Sequence, residues 1–417
     1  MIDVDLVRSR FPALSSSTVF LDNPGGTQIV RSALLRMEHY LKLTNANHGG
    51  AFRASRESDA IVAEARTAAA DFLNAPRPEE IVFGPNMTTL TLHLSRSLAR
   101  TLAPDDEVVV TRLDHDANVA PWLLIAEDRG SIVRWVDVDV SDCTWNLDAL
   151  RSAISPRTKI VAVGWASNAA GTVNDVAGAC RIAHEAGALS FVDAVHWAPH
   201  GPIDVQAIGC DFLTCSAYKF FGPHLGLLWG RYDLLESLTA YKVRPAGNLP
   251  PDKFETGTQS FEAITGMFGA VEYLAWIGET FGAPFRERLA PRFSGRRLAL
   301  KAGMEAIHEQ EAALTAALAD RLGAIKGLTI RGITDRARFV HRVPTFSFTL
   351  DGRTPRQVCE ELDHDYIAAW DGNYYALSLS ERLGLENQGG MVRVGAVHYN
   401  TLADLDRLAR SLGRIAL

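Results

Sequence analysis

Residues 191–230 read FVDAVHWAPHGPIDVQAIGCDFLTCSAYKFFGPHLGLLWG. Asp193 ends an apolar strand pattern, and Lys219 lies in a short turn after a second apolar segment, FLTCSA. Either residue alone fits a helix cap or a solvated surface charge, but open α/β sheets bind ligands at the carboxyl ends of their strands. A lysine amine there can form a Schiff base with pyridoxal phosphate, and a carboxylate can keep the cofactor's ring nitrogen protonated. The stretch therefore predicts a pyridoxal phosphate site built on Lys219 and Asp193.

The composition is that of a globular protein large enough for two hydrophobic cores. The 417 residues are 47% hydrophobic and 22% charged, and the sequence has no run of 18 apolar residues. A net charge of −7 without a basic block gives no support to nucleic-acid binding. The first residues, MIDVDLVRSRFPALSS, lack a basic region followed by an apolar run. We therefore expect a soluble, cytoplasmic protein that binds neither nucleic acid nor a membrane.

The cysteines are scattered along the sequence. No CxxC pair and no metal-ligand spacing occurs among Cys143, Cys180, Cys210, Cys215 and Cys359. Neither a disulfide framework nor a metal site is expected.

Strand and helix patterns alternate along the first two thirds of the chain, as in a parallel sheet covered by helices. Helical patterns occupy residues 58–73 and 176–186. The predicted strands span residues 80–83, 107–112, 132–137, 159–165, 189–193, 212–215 and 225–229. The prediction is one large α/β domain.

From FLDNPGGTQ (residues 20–28) to VRVGAVHYNTLADLDRL (residues 392–408), the chain resembles the class V aminotransferase group of fold-type I pyridoxal phosphate enzymes. Within that group it is most similar to the cysteine desulfurase branch, which includes selenocysteine lyases and isopenicillin N epimerase-like proteins. The resemblance implies a mostly parallel seven-stranded sheet between helices, a smaller α+β domain, and a homodimer with shared active sites.

The composition and the secondary-structure pattern of the sequence change after residue 285. A basic helical run rich in Ala and Leu covers residues 286–327, and a strand pattern follows at 345–350. Together with the family pattern, this predicts an N-terminal segment (1–25) that joins the small domain, a large cofactor-binding domain (26–285) and a small C-terminal domain (286–417).

The segment GPNMTTLTLHL, residues 84–94, offers a phosphate site. It follows a strand and begins an apolar helical pattern, so it supplies backbone N–H groups, hydroxyls and a helix start. Thr88 and Thr89 match the family's phosphate-binding pair, and Met87 stands where a glycine is common. A plain N-cap is the alternative.

Further phosphate ligands are implied by the resemblance. Ser216 and Tyr218 match two of them, although the desulfurases usually have a histidine in place of Tyr218. Gly257 and Thr258, in FETGT, match a pair that reaches the phosphate of the partner subunit.

Three more positions match residues around the cofactor ring. His115, in RLDHDANVAPW, corresponds to the imidazole that stacks on the ring face, where it can also relay a proton as a catalytic residue. Asn168, in WASNAAGT, corresponds to the residue that bonds the phenolic oxygen. His196 replaces a glutamine that bonds the same oxygen.

A substrate carboxylate is best bound by an arginine, whose planar guanidinium makes two parallel hydrogen bonds. Arg393 matches the arginine that binds the α-carboxylate in the family. Asn23 and Gly26, in the DNPGG turn, are expected against the same carboxylate through backbone groups. Arg53, in NHGGAFRAS, is a further predicted anion contact.

The sequence departs from the desulfurases near its C-terminus. Desulfurases carry a catalytic cysteine on a mobile loop, and in DGNYYALSL, residues 371–379, Tyr375 takes its place next to Tyr374. Trp370 lies near the position of an arginine of that loop. Cys359 lies in a helical pattern upstream and is expected to pack rather than react.

These residues predict a pyridoxal phosphate-dependent enzyme in which Lys219 is the general base, acting on a small L-amino acid. The leading hypothesis is carbon–sulfur or similar β-bond cleavage without an enzyme persulfide. An epimerase, with Tyr374 or Tyr375 as the acid, and an aminotransferase remain alternatives, as does a cofactor-binding sensor without turnover.

Overall fold

The computed structural model describes residues 2–417, and in that range the chain forms thirteen strands. In chain order they are β1 (Val19–Phe20), β2 (Ile81–Gly84), β3 (Glu107–Thr111), β4 (Ile132–Val136), β5 (Thr158–Gly164), β6 (Leu189–Asp193), β7 (Phe212–Ser216), β8 (Gly226–Gly230), β9 (Leu328–Arg331), β10 (Thr345–Leu350), β11 (Ile367–Ala368), β12 (Trp370–Gly372) and β13 (Met391–Gly395).

Fifteen α-helices accompany these strands over the same residues. In chain order they are α1 (Val4–Arg8), α2 (Arg31–His39), α3 (Arg53–Leu73), α4 (Met87–Ala99), α5 (Ala120–Arg129), α6 (Leu147–Ala153), α7 (Val176–Glu185), α8 (Val205–Ile208), α9 (Tyr232–Ser237), α10 (Phe261–Phe281), α11 (Ala283–Leu289), α12 (Gly295–Gly323), α13 (Pro355–His364), α14 (Leu377–Arg382) and α15 (Leu402–Ile415). Among the described helices, none combines the length and apolarity needed to cross a bilayer.

The large sheet has seven strands in the order β2-β8-β7-β6-β5-β3-β4. Strand β8 runs antiparallel to both β2 and β7, and the other neighbouring pairs are parallel. Because β8 is antiparallel to both of its neighbours, β2 runs in the same direction as β7 and the other parallel strands. Apolar runs such as 108–110 are buried on both faces, as a sheet covered by helices on both sides requires. The carboxyl ends of six strands therefore lie along one edge.

The predicted fold class is confirmed. Each of the seven strands predicted from the sequence overlaps one strand of the large sheet, and the strand predicted at 345–350 coincides with β10. The helical run predicted at 286–327 differs, because the structure divides it into the end of α11 and the helix α12. Pro291 lies in the gap, where a proline cannot continue a helix.

The smaller sheet is antiparallel, with the order β12-β13-β10-β9. One face packs against α12, α13 and α15 through an apolar cluster that includes Leu318, Phe346 and Leu405. Val19 and Leu21, near the N-terminus, belong to the same cluster, and β1 pairs with β11. The predicted domain boundaries at 25/26 and 285/286 remain predictions.

Candidate active site

A cleft lies at the carboxyl edge of the large sheet. Asp193 ends β6, Lys219 ends a 3₁₀ turn after β7, His115 follows β3 and Asn168 follows β5. The cleft is lined by these four residues together with Asn86, Met87, Thr88, Asp114, Ala117, Gly164, Ala166, Val195, His196, Ser216 and Tyr218. Most of the predicted cofactor-binding residues are thus brought together by the topology of the sheet.

Lys219 is buried, and its amine is fixed by backbone oxygens. Nζ donates to the carbonyl oxygens of Pro24 and Gly25, the second at 3.1 Å. Burial, and then the positive charge of Arg393, lower the pKa of Lys219 to about 7. A large fraction of the amine is therefore uncharged near neutral pH, which is the form that reacts with an aldehyde or accepts a proton.

Asp193 is the buried acid that accompanies Lys219. Its Oδ1 accepts a hydrogen bond from the Val195 N–H at 2.8 Å. Burial raises the pKa of Asp193 to about 6, against the opposing effects of that hydrogen bond and of the Lys219 charge. A cationic group bound in the cleft beside Asp193 would stabilise its ionised form.

A second buried acid, Asp114, lines the same cleft and was missed by the sequence analysis. Its carboxylate accepts hydrogen bonds from Thr111 Oγ1 at 2.9 Å and from Asn118 Nδ2 at 2.8 Å. Burial raises the pKa of Asp114 to about 7, and the neighbouring charge of Asp193 contributes to the rise. Its place directly before His115, in RLDHDAN, was the signal available in the sequence.

The first turn of α4 forms the end of the cleft predicted to bind phosphate. The Met87 N–H donates to Ser216 Oγ at 3.1 Å, and the Thr89 N–H donates to the N-cap residue Asn86 at 2.8 Å. Those two donors of the first turn are therefore already used. The Thr88 N–H is left for a ligand at the positive end of the helix dipole, and the Thr88 hydroxyl has only a weak contact to Met87 Sδ at 3.9 Å.

His115 lies between the cleft and the C-terminal loop. Its Nδ1 accepts from the Ala117 N–H at 3.0 Å, so a neutral ring carries its proton on Nε2. Burial, and then the charges of Lys219 and Arg393, lower the pKa of His115 to about 3. The exposed ring of Tyr375 stacks on it, with centroids 5.5 Å apart and planes at 22°.

Asn168 presents an unused polar atom inside the protein. Its Nδ2 donates to the Tyr374 carbonyl oxygen at 2.9 Å. Its Oδ1 is buried and has no hydrogen-bond partner within residues 2–417. A buried amide oxygen without a partner costs free energy, which a polar ligand in the cleft would recover.

Arg393 lies beside this cleft and is also buried. Nη1 donates to the Asn168 carbonyl oxygen at 3.0 Å, and the guanidinium carbon is 4.3 Å from the centroid of the Tyr374 ring. Burial lowers the pKa of Arg393 to about 10, so it remains a cation near neutral pH. Asp22, which was not predicted from the sequence, also lies near these cations. Burial raises the pKa of Asp22, and the charges of Arg393 and Lys219 oppose that rise.

The DNPGG turn packs against these residues. The side chain of Asn23 is fully used, since Nδ2 donates to the Phe20 and Gly395 carbonyl oxygens at 2.9 and 2.7 Å. A Cβ at Gly26 would come within 3.2 Å of Tyr218 Cδ2, so glycine allows the close approach. Backbone groups of the turn therefore remain the predicted contacts for a substrate.

Besides the residues that pack around the cleft, several predicted site residues do not line it: Arg53, Thr89, Gly257 and Thr258. Arg53 is exposed, and its Nε is 2.6 Å from Oε1 of Glu57. Gly257 and Thr258 are exposed and line a separate surface groove together with His48. Their assigned roles in binding an anion and the partner's phosphate remain predictions.

The residues that line the cleft fit pyridoxal phosphate. The buried carboxylate of Asp193 suits a protonated ring nitrogen, and the free N–H of Thr88, with a hydroxyl held only by the Met87 sulfur, suits a phosphate. The unpartnered Oδ1 of Asn168 marks room for a polar ligand. Lys219 supplies an amine that is partly uncharged at neutral pH.

The comparisons with known proteins extend over nearly the whole chain. The family described as "Aminotransferase class-V" matches residues 19–287 and 296–408. A Gibberella zeae protein described as "Aminotransferase-like protein FGM3" is 33% identical over 98% of this chain and 97% of its own length. A "Probable cysteine desulfurase" of Streptomyces coelicolor is 30% identical over 100% of this chain and 97% of its own.

Two solved structures show the same architecture. The cysteine desulfurase CsdA of Escherichia coli aligns with a TM-score of 0.83 at 25% identity, covering 99% of this chain and 98% of that one. A cysteine desulfurase of Thermococcus onnurineus aligns with a TM-score of 0.87 at 23% identity, covering 100% and 98%, and supports the fold alone.

Proposed function

The chain belongs to the aminotransferase class V family, whose members are pyridoxal phosphate-dependent enzymes, and we propose that it cleaves the carbon–sulfur bond of a small, cysteine-like L-amino acid without forming an enzyme persulfide. The cysteine desulfurases among its relatives support the substrate class. The position of the five cysteines, none of which lines the cleft within residues 2–417, supports the absence of a persulfide.

Each of three residues in or beside the cleft has a separate role in the proposed reaction. When bound, pyridoxal phosphate supplies an electron sink for the pair of electrons that an α-proton leaves behind. Lys219 accepts that proton at Nζ, which its lowered pKa leaves partly uncharged at neutral pH. Asp193 holds a proton on the ring nitrogen. Arg393 binds the α-carboxylate through parallel charge-assisted hydrogen bonds.

The β-bond then breaks without an acceptor for sulfur. The electron pair from the Cα–H bond forms a Cα–Cβ double bond, and the C–S electron pair leaves with the sulfur as sulfide or a thiolate. Water converts the released three-carbon product to pyruvate and ammonia. The sulfur leaves at the oxidation level of sulfide, so the step requires neither an oxidant nor an enzyme thiol as acceptor.

The observation that carries this proposal is the position of the cysteines. Over the described part of the chain, none of the five lines the cleft that contains Lys219. Cys359 is half-buried, and burial raises the pKa of its thiol to about 12, which leaves almost no thiolate at neutral pH. Tyr375, which takes the place of the desulfurase cysteine, has a phenol that cannot carry a persulfide.

The test is a product assay on the holoprotein with L-cysteine and a panel of S-substituted cysteines. We expect sulfide or thiol in equal amounts with pyruvate and ammonia, and no protein-bound sulfur by mass spectrometry. Cys359→Ser retains the activity, and Lys219→Ala loses it. No product from any member of the panel would contradict the proposal.

The same assay separates the alternatives. Exchange of the α-proton with inversion and no β-product indicates an epimerase. Conversion of the amino acid to its 2-oxo acid with transfer of the amine to the cofactor indicates an aminotransferase. Alanine together with sulfur bound to a cysteine indicates the persulfide reaction of a desulfurase.

A further inference from the structure

The two ring nitrogens of His196 have different surroundings. Nε2 is 2.9 Å from Oγ1 of Thr345. Nδ1 has no hydrogen-bond partner among residues 2–417. It is not fully enclosed by protein atoms, and His196 lines the cleft. Nδ1 is therefore the nitrogen that a ligand in the cleft can reach.

Thr345 begins β10 and is fully buried, with a relative exposure of 0%. In the described structure, the hydroxyl contacts the His196 ring and no other hydrogen-bonding group. If Nε2 carried the proton and donated it, the Thr345 O–H would be buried without an acceptor. If Thr345 donates to Nε2, its proton is used and only a lone pair stays free, which costs less. The neutral ring then carries its proton on Nδ1.

A cationic form of His196 is disfavoured by its surroundings. Burial lowers the pKa of His196 well below its usual range, and the charges of His200, Lys219, Arg393 and His115 lower it further. The His200 ring packs edge-to-face against it with centroids 5.2 Å apart.

His200 is itself held by a buried partner. Its Nδ1 is 2.6 Å from Oε2 of Glu311, and both side chains are 2% exposed. Glu311 Oε1 in turn accepts the His398 N–H at 2.9 Å. A charge on the His200 ring, so held beside His196, would oppose a charge on His196. The choice for His196 is therefore between its two neutral tautomers.

We propose that Thr345 is a positioning residue, which fixes His196 as the tautomer with a proton on Nδ1 so that this N–H donates to the phenolic oxygen of the bound cofactor. A glutamine at position 196 would donate through its amide N–H without such help. A neutral histidine gives a donor on the cleft side only if its other nitrogen is unprotonated, which the Thr345 hydroxyl favours by donating to it. The inference concerns the cofactor site, so its failure and that of the carbon–sulfur cleavage are independent.

The first test measures how the visible absorption of the bound cofactor changes with pH. Thr345→Val keeps the shape of the side chain but removes the hydroxyl. Loss of a hydrogen bond to a charged oxygen should raise the pH midpoint of the absorption change by about one unit, a tenfold change in proton affinity. Thr345→Ser restores the hydroxyl and should restore the midpoint.

A second pair of variants separates this role from a general effect on the fold. In a His196→Gln background the amide supplies the donor, so Thr345→Val should no longer shift the midpoint. An equal shift in both backgrounds, or no shift in either, would overturn the inference.

The tautomer can also be read without altering Thr345. Imidazole ¹⁵N chemical shifts of the holoprotein, with His196 assigned from the signals lost in His196→Gln, should show a protonated Nδ1 and an unprotonated Nε2. A protonated Nε2 would overturn the inference even if Thr345→Val did not fold.

Discussion

At the scale of single residues, burial shifts the pKa values of several groups in the cleft towards neutral pH. It lowers the pKa of Lys219 to about 7 and raises that of Asp193 to about 6. Asp114 is raised in the same way, to a pKa of about 7. Shifted groups that converge in one cleft are typical of catalytic sites, because a base is most effective when its pKa is near the working pH.

The role of Arg393 predicts a specific kinetic change. Arg393→Lys keeps the charge but loses the bidentate geometry, so we expect KM for the amino acid to rise by roughly ten- to a hundredfold. The matched comparison is an amine that lacks the α-carboxylate, for which wild type and variant should react alike. Steady-state kinetics on both compounds decides the matter, and an unchanged KM would contradict the assignment.

Asp114 predicts a pH dependence of stability with a defined sign. Its pKa is about 7 in the folded protein against 3.8 when unperturbed, so the folded state binds the proton more tightly. Between about pH 4 and 7 this contribution falls as pH rises, and above pH 7 it is lost. Asp114→Asn should therefore flatten the decline of unfolding free energy, measured by urea denaturation of the cofactor-free protein.

Glu107 offers the opposite case as a control. Burial raises its pKa, but hydrogen bonds from Ser155, Arg134 and Arg157 outweigh burial and lower the pKa to about 2. Glu107 therefore stabilises the fold above pH 4.5 and loses that contribution as pH falls towards 2. Glu107→Gln should lower the unfolding free energy at neutral pH, whereas Asp114→Asn should raise it. Changes of the same sign for the two variants would contradict the role given to Asp114.

At the scale of secondary structure, the start of α4 determines how the cleft receives an anion. Asn86 caps the helix and leaves the N–H of Thr88 unused, next to the carboxyl end of β2. Gly226 permits this arrangement, because a Cβ there would lie 2.3 Å from the Asn86 carbonyl carbon. Strand pairing between β2 and β8 therefore fixes the site through backbone contacts.

Two threonines of α4 provide a matched test of the phosphate site. Thr88→Val removes a hydroxyl in the cleft and should weaken binding of pyridoxal phosphate about tenfold. Thr91→Val removes a hydroxyl bonded within the helix to the Met87 carbonyl oxygen, and should leave that affinity unchanged. Equilibrium titration with pyridoxal, which lacks the phosphate, should not distinguish Thr88→Val from wild type. If Thr88→Val weakened the binding of pyridoxal phosphate and of pyridoxal equally, Thr88 would not be a phosphate ligand.

At the scale of the whole molecule, an exposed apolar side chain lies in the same surface groove as the exposed pair Gly257 and Thr258. That side chain is Val243, which is 67% exposed. Val243, Gly257 and Thr258 line one groove. A monomer seldom leaves such residues uncovered, and we propose that a second copy of the chain covers them.

Two similarly exposed valines test the homodimer. Val243→Glu, in the groove, should give a monomer with weakened cofactor binding, because a partner residue such as Thr258 would no longer complete the site. Val340, which is 70% exposed, lies outside that groove, and Val340→Glu should remain a dimer. Sedimentation velocity measures both, and a wild-type monomer with full cofactor affinity would refute the shared site.

The sequence predicted the framework of the molecule better than its interior. Period and motif located the strands, and the strand ends brought Lys219, Asp193 and His115 into one cleft. Asp114 and Thr345 escaped prediction because their importance depends on burial and on neighbours distant in sequence. Arg53 differs from these residues, because it lies on the surface and pairs with Glu57 within α3.

The covalent attachment of the cofactor to one lysine, Lys219, is the property on which every proposed role in the cleft depends. Lys301 is an internal control, because it is also buried and its pKa is also lowered to about 7, yet it does not line the cleft. The holoprotein should be reduced with borohydride, digested and sequenced by mass spectrometry. The account predicts a pyridoxyl group on the peptide that contains Lys219. A label on Lys301 or any other lysine, or no label on a protein that binds the cofactor, would contradict it.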